Sequence, residues 1–336
     1  MREMLEKVLD GGFLSISEAY SLMMDIMDGK VPPSVFGAIM GCMRMRGEGE
    51  EEIVGFAKAM LDRCIKLELP FELLDTCGTG GDGSGSFNIS TASGIIASAC
   101  GIKVAKHGNR AISSRSGSAD VLEALGAKIE LSPESVKRCI EEVGFGFIFA
   151  PIFHPSMKRV APLRKELGTR TVFNMLGPLT NPARASFQVL GVFKREIMGK
   201  MARALKMLGT KKAWVLHSED GLDEISPGAR TFVLEVDDDG IKELTLEPSE
   251  YGFPARGKES IRGGDREENA KTLLKLLSGE RGPVRDACLL NAGASVFIAG
   301  KARDLKEGIE MASEAVDSGR AKRVLDEFIK LSRGLE

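Results

Sequence analysis

Five of the eight residues in Gly78-Thr79-Gly80-Gly81-Asp82-Gly83-Ser84-Gly85 are glycine. Glycine loses the most conformational freedom in regular structure, so this stretch is a loop rather than a helix or strand. An apolar run, Phe71 to Leu74, ends in Asp75 just before it, and Asn88-Ile89-Ser90-Thr91 follows it into small helix formers, Ala92 to Ala99. Strand, glycine loop and helix start in succession make an anion cradle. Backbone N–H groups converge in the loop, and the unpaired N–H groups at the helix start add the positive end of a dipole. The arrangement then repeats. A second apolar run, Ile102 to Ala105, delivers Lys106, His107, Asn109 and Arg110 into another loop, and Ser113, Ser114, Ser116 and Ser118 precede a helix through Leu125.

Further apolar runs alternate with helical stretches: Ala127–Ile129, Phe147–Ala150, Gln188–Val192, Ala213–Leu216 and Thr231–Val236, with closing helices from Arg266 onward. This alternation predicts an α/β fold, a mostly parallel sheet flanked by helices with ligand loops at the carboxyl ends of its strands. Residues 1–69 read as helices alone. One spans Arg2 to Leu9, a second opens on the capping-box spacing Ser15-Ile16-Ser17-Glu18 and runs through Met27, Pro32-Pro33 starts a third, and Glu50 begins a fourth through Cys64. A small N-terminal helical domain followed by a larger domain over 70–336 is therefore expected. The methionines Met23, Met24, Met27, Met40, Met43, Met45 and Met60 recur on apolar helix faces, as packing or an interface between copies rather than metal ligands. Between about 156 and 181 a basic helix, MKRVAPLRKEL, and a Gly/Pro-rich turn interrupt the alternation.

The 336 residues are 43% hydrophobic with a formal charge of −2, enough for a large core and contrary to wholesale nucleic-acid binding. Six cysteines, at 42, 64, 77, 100, 139 and 288, lack C-x-x-C spacing and read as reduced core thiols of a cytoplasmic chain. No apolar run approaches membrane-spanning length and MREMLEKVLDGG lacks a signal core, so neither membrane insertion nor export is expected. Two common phosphate motifs fail on inspection. Gly78, Gly80 and Gly83 satisfy G-x-G-x-x-G, but Ile102-Lys103-Val104 stands where a dinucleotide site needs an acid, and Ser84 after Gly83 breaks the G-K-[ST] of a P-loop. A merely flexible surface loop has no reason to be followed by NIST and KHGNR.

Several blocks together point to one family. They are Asp75-Thr76-Cys77-Gly78-Thr79-Gly80-Gly81-Asp82, Asn88-Ile89-Ser90-Thr91, Lys106-His107-Gly108-Asn109-Arg110, Ser116-Gly117-Ser118-Ala119-Asp120 and His154-Pro155. Arg164-Lys165-Glu166-Leu167-Gly168, Asn174 through Pro182, Asp220 through Ser226 and Gly263-Gly264-Asp265 continue the series. In these blocks, in order over nearly its whole length, the chain resembles the anthranilate phosphoribosyltransferases. The resemblance implies transfer of the phosphoribosyl group of 5-phosphoribosyl 1-pyrophosphate (PRPP) to the amine of anthranilate, in tryptophan biosynthesis. It also implies Mg²⁺ as cofactor, and a homodimer formed through the helical domain, against which the 156–181 insertion would pack. By the same resemblance PRPP meets Gly78, Gly81, Asp82, Ser86, Asn88, Ile89, Ser90, Thr91, Lys106, His107, Gly108, Asn109, Arg110, Ala111, Ile112, Ser113, Ser114 and Ser118. Anthranilate would meet Gly78, Asn109 and Arg164, and the metal Ser90, Asp223 and Glu224. Departures from the family pattern are mild: Arg115 stands where lysine is common and Met175 where another aliphatic residue is usual.

Displacing pyrophosphate from a sugar carbon requires a site that holds a highly charged leaving group and tolerates an oxocarbenium-like transition state, which is mainly electrostatic work. Backbone amides of the 78–82 loop, the Ser90 and Thr91 hydroxyls and Lys106 supply donors and charge, and which loop takes which phosphate stays open. Asp82 suits sugar hydroxyls, with a loop-stabilising Asx turn as the competing role. Asp223-Glu224, in the turn-rich HSEDGLDEIS, reads by itself as a solvated pair; Mg²⁺ beside phosphates uses one or two such carboxylates, and the resemblance selects that role. Glu219 and Asp220 read as surface charge. Arg164 lies among Lys158, Arg159 and Lys165, ordinarily a solvated face, yet a guanidinium matches a carboxylate bidentately. An aromatic amine attacking a good leaving group needs little base, so His107 and His154 are expected to be dispensable and His217 structural. Two rivals fit less well. A pyrimidine nucleoside phosphorylase would carry a K-H-S-T-G-G-type loop in place of Asp75-Thr76-Cys77, and a nucleic-acid-binding relative would be strongly basic and lack the acidic pair.

Overall fold

The computed structural model describes residues 1–111, 115–254 and 256–335. Of the expected PRPP contacts, Ile112, Ser113 and Ser114 lie outside the described residues. Four helices open the chain: Arg2–Leu9, Ile16–Met27, Pro33–Arg46 and Glu50–Arg63. The second begins on its capping box, Ser15 Oγ accepting the Glu18 N–H at 3.3 Å and Glu18 Oε2 accepting the Ser15 N–H at 2.8 Å. Met23, Met27, Met40, Met43 and Met60 are buried among these helices, whereas Met45 is 90% exposed.

Among the described residues seven strands form one sheet: β1 Leu74–Asp75, β2 Val104–Gly108, β3 Phe145–Phe149, β4 Phe187–Gly191, β5 Lys212–Ser218, β6 Thr231–Asp237 and β7 Gly240–Leu246. Their spatial order is β3-β2-β1-β4-β5-β6-β7. Neighbours from β3 to β5 are parallel, and β6 and β7 are added antiparallel. From β1 the chain winds outward through β2 to β3, then returns to β4 on the other side. The order reverses between β1 and β4, and connections that diverge there leave a crevice at the carboxyl ends of the strands.

Side chains alternate between two cores across this sheet. Trp214 and Leu216 of β5 face a cluster that includes the helices Ile89–Ala99 and Pro283–Ile298. Ala213 and Val215 face a second cluster shared by the N-terminal helices, residues 160–179 and the Met198–Leu208 helix. The insertion lies against the bundle: Phe173 stacks on Phe36 with centroids 6.0 Å apart, and Arg159 Nη1 donates to the Asp28 carbonyl at 3.0 Å.

Three expectations need correction. Lys106 and His107 do not enter the second loop; both lie within β2, paired with Phe147 and Ile148 of β3. Ala127–Ile129 is not a strand; Ala127 and Ile129 are buried, but the Lys128 N–H between them donates to Ser332 Oγ of the last helix at 3.1 Å, so the backbone partner is a helix end. β7 was absent from the sequence reading. Only Leu246 of its residues is buried, and it pairs with β6 across a two-residue turn, Asp238-Asp239, as an edge strand. No helix among the described residues is long and apolar enough to cross a membrane.

Candidate active site

The glycine loop leaves β1 at the reversal point. Gly80, Gly81, Gly83 and Gly85 all adopt positive φ, from 61° to 79°, which explains a run that other residues would strain. Its first turn is bonded to the end of β4: the Thr79 N–H donates to the Gly191 carbonyl at 2.9 Å, and the Phe193 N–H donates to Thr79 Oγ1 at 3.0 Å. Asp82 forms the Asx turn, Oδ1 accepting the Ser84 N–H at 3.1 Å, while Oδ2 accepts the Asp223 N–H at 3.4 Å. Ser86 Oγ accepts from Ser84 Oγ at 3.1 Å.

Asn88 precedes the Ile89–Ala99 helix and ties three segments together. Its Nδ2 donates to the Ser116 carbonyl at 3.1 Å and its Oδ1 accepts from Asn269 Nδ2 at 2.8 Å, while Asn269 Oδ1 accepts the Gly264 N–H at 2.8 Å. The Gly263-Gly264-Asp265 block therefore acts as a brace for both loops. At the second loop, Asp120 Oδ2 accepts the N–H groups of Ala111 and Gly117 at 2.9 and 2.8 Å, and Ser118 Oγ donates to the Asn109 carbonyl at 3.4 Å. A Cβ on Gly108 would come within 2.4 Å of Ser118 Oγ, so the strand end must be bare. Arg110, expected at PRPP, is engaged in ion pairs with Glu123 and Glu130.

Lys106 joins the two units. It is fully buried, and Nζ donates to the Thr76 carbonyl, Thr76 Oγ1 and Ser90 Oγ, each at 3.2 Å, which uses all three of its protons. Asp75 lies beneath it, accepting from Asn181 Nδ2 at 2.7 Å and from the His107 N–H at 3.2 Å. Burial pushes the Asp75 carboxyl up to about 6, against the pull of Lys106.

Asp223 and Glu224 are brought to the same place from after β5. Glu224 Oε1 accepts the Ser90 N–H at 3.2 Å, at the start of the helix. Burial, then the neighbouring Asp82 charge, pushes Asp223 up to about 7; burial and Asp223 push Glu224 well above the usual range. The turn that displays them is held by residues the sequence reading missed. Ser218 Oγ donates to the Glu224 carbonyl at 2.6 Å, and Asn291 accepts the Ile225 N–H and donates to the Ile225 carbonyl, both at 2.9 Å. Asp220, expected as plain surface charge, accepts from Ser226 Oγ at 2.8 Å and shapes this turn; Glu219 does pair on the surface with Arg230.

Thr91 Oγ1 is buried without a hydrogen-bond partner among the described residues. Arg164 is half-buried, its guanidinium 5.2 Å from the Phe173 ring centroid, with no acid against it among the described residues. His107 and His154 are buried against each other with ring centroids 5.3 Å apart; Nδ1 of His107 faces the Gly177 carbonyl at 3.1 Å and Nε2 of His154 the Thr180 carbonyl at 2.9 Å. Burial lowers them to about 3 and about 4, so both are neutral near pH 7. His217 Nδ1 lies 2.7 Å from the Val192 carbonyl, a structural contact.

The profile described as "Glycosyl transferase family, a/b domain" matches residues 71–322, and "Glycosyl transferase family, helical bundle domain" matches residues 2–64. An anthranilate phosphoribosyltransferase of Thermoanaerobacter sp. (strain X514) is 52% identical over 336 residues, covering 100% of this chain and 99% of its own. The crystal structure of the Thermus thermophilus anthranilate phosphoribosyltransferase superposes with a TM-score of 0.93 at 46% identity, covering 98% of this chain and 99% of that one. The Saccharomyces cerevisiae anthranilate phosphoribosyltransferase in complex with PRPP and Mg gives 0.91 at 30% identity, over 99% and 98%. The chain belongs to the anthranilate phosphoribosyltransferase family.

Proposed function

We propose that this chain transfers the phosphoribosyl group of PRPP to the amine of anthranilate, releasing pyrophosphate, in tryptophan biosynthesis. The observation that carries this reading is the meeting of both loops and of Asp82, Asp223 and Glu224 around the Lys106–Ser90 contact, in a chain of this family. The yeast relative holds PRPP and Mg. Among the described residues no cluster of three or more His, Cys, Asp or Glu side chains is arranged to hold a metal by itself, but Asp223 and Glu224, both pushed up by burial and neighbouring negative charge, suit a divalent cation that also takes phosphate oxygens. Ser90, Asp223 and Glu224 would hold Mg²⁺, which when bound supplies positive charge to the PRPP phosphates.

The chain's own residues do the remaining work. Lys106 places a fixed positive charge in the site, and N–H groups of the glycine loop donate to phosphate oxygens, while those of the helix start are held by the Phe87 and Asn88 carbonyls and by Glu224. Asp82 accepts from ribose hydroxyls. The bond from C1′ to the pyrophosphate oxygen breaks with its electron pair going to that oxygen, the anthranilate nitrogen forms the new bond, and its surplus proton passes to water. Arg164 orients the ring through the anthranilate carboxylate, with Asn109 and Gly78 beside it. Arg164→Ala is expected to raise the KM for anthranilate by a factor equivalent to roughly 1.5–3 kcal/mol, the scale of a hydrogen bond to a charged group. An unchanged KM removes Arg164 from this role.

Because His107 and His154 hold their protons only in strong acid, kcat is expected to show no histidine limb between about pH 6 and 8, and His154→Asn should keep its turnover. A variant that binds both substrates but loses nearly all turnover would overturn that. The lowered values have a second consequence. The unfolded chain binds more protons than the native one between the folded and ordinary histidine values, so stability falls as pH drops through that window.

Homodimer formation through the helical domain of residues 1–69, where Leu9, Phe13 and Met45 are exposed, belongs to the same proposal, with light scattering as its test. The activity is tested by following anthranilate fluorescence with PRPP and Mg²⁺, with and without a chelator. Metal-dependent loss of anthranilate supports the transferase, and unchanged fluorescence refutes it.

A further inference from the structure

Arg170 lies on the stretch that follows the Met157–Leu167 helix, six residues beyond Arg164, and neither the composition of its surroundings nor the reaction accounts for it. It has no acid partner among the described residues. Instead its Nη2 donates to the carbonyl of Gly81 in the glycine loop, and its guanidinium stacks over the Phe193 ring, 4.9 Å from the centroid. Phe193 is itself bonded to that loop through its N–H and Thr79 Oγ1, at 3.0 Å. The loop is thus held both by the end of β4 and by Arg170, which meet at Phe193. Arg44, on the Pro33–Arg46 helix, holds the stretch in place by donating Nη1 to the Arg170 carbonyl and to Thr169 Oγ1.

The grip has a directional consequence. Gly81 sits at φ 79°, in the left-handed region. In a planar trans peptide the carbonyl and the following N–H point in opposite directions. Holding the Gly81 carbonyl toward Arg170 therefore aims the Asp82 N–H away from it. The same stretch continues to Phe173, whose ring carries the Arg164 guanidinium and packs on Phe36 of the bundle. One short segment therefore touches the phosphate loop at one end and bears the unpartnered guanidinium at the other.

We propose that Arg170 is a positioning residue that couples the two substrate subsites, fixing the Gly81–Asp82 peptide for PRPP from the segment that presents Arg164 to anthranilate. The inference rests on the reaction proposed above. When PRPP holds the loop in its gripped form, the segment is held with it, and anthranilate meets an Arg164 already in place. This lowers the ordering cost of the second binding event.

The test uses Arg170→Gln and Arg170→Lys in the full-length protein, with thermal unfolding as a control on folding. Calorimetry reads PRPP binding with Mg²⁺, and anthranilate binding with and without PRPP; steady-state kinetics reads KM and kcat. In the unaltered protein PRPP is expected to tighten anthranilate binding. In Arg170→Gln that tightening disappears, the KM for PRPP rises about tenfold, the scale of one lost charge-assisted hydrogen bond, and kcat changes much less. Arg170→Lys, which keeps a donor but not the stacked plane, recovers part of the PRPP effect. Phe193→Leu, which removes only the ring platform, shifts the same quantities in the same direction by a smaller factor, and serves if Arg170→Gln does not fold. An unaltered protein in which PRPP leaves anthranilate affinity unchanged, or variants that keep the tightening and both KM values, would overturn the inference. Failure of the unaltered protein to consume anthranilate at all would strike the proposed reaction instead.

Discussion

Gly191→Ala is expected to be among the most damaging single-methyl additions this chain can receive. A Cβ at Gly191 would lie 1.5 Å from the carbonyl oxygen of Asp223, and the atom it meets is backbone, so no side chain can turn aside. The carbonyl of Gly191 also accepts the Thr79 N–H at 2.9 Å, so the end of β4 is wedged between the glycine loop and the turn that carries the acidic pair. Relieving the overlap means moving one of them. Forced overpacking costs about 1–3 kcal/mol or more, and displacing reacting groups by about 1 Å costs on the order of 100-fold in rate. The expected result is a clearly lowered melting temperature together with a kcat/KM down by about two orders of magnitude. Normal kinetics in a folded Gly191→Ala protein would show that the two loops need not touch β4.

Asp223→Asn should separate stability from activity. Asp82, Asp223 and Glu224 bring negative charge together in a partly buried site, and desolvation with the Asp82 charge raises Asp223 to about 7. The unfolded chain would ionise it near the ordinary 3.8. Between those values the native state binds more protons than the unfolded state, so metal-free stability falls as pH rises through that window, and the full penalty stands above it. An amide removes that penalty. In chelator, Asp223→Asn is expected to match the parent near about pH 4 and to melt higher near about pH 8, while activity with Mg²⁺ falls by on the order of 100-fold as a metal ligand is lost. A variant that melts lower than the parent at the higher pH, or keeps its activity, would count against this account of the acidic pair.

The two loops are legible in the chain because their signals are local, above all glycine where φ must be positive; Asn88, placed as a helix cap, makes no cap bond and ties the loops together instead. Gly191 and Asn291 are not legible, because what constrains each is a segment distant in sequence. Gly191 looks like any glycine at the end of an apolar run until the Asp223 carbonyl is set beside it, and Asn291 sits inside a helix that sequence alone marks only as buried. Asp220 was misread for the same reason, since its partner Ser226 matters only once the turn has closed. Ala127–Ile129 fails differently. Its alternating burial is that of a strand, but periodicity reports which side chains are inside and not what the backbone bonds to.

The N-terminal helices share their core with the outer surface of β4 to β6 and with the Met198–Leu208 helix. A boundary drawn in the linear sequence near residue 70 therefore does not cut the molecule into independently cooperative parts. Severing it would strand Leu190, Val192, Met201 and Val215 in water on one fragment and Ile26, Phe36 and Phe56 on the other. The bundle is consequently poor material for transplantation onto another scaffold, and any insertion tolerated at that junction has to preserve docking as well as chain continuity.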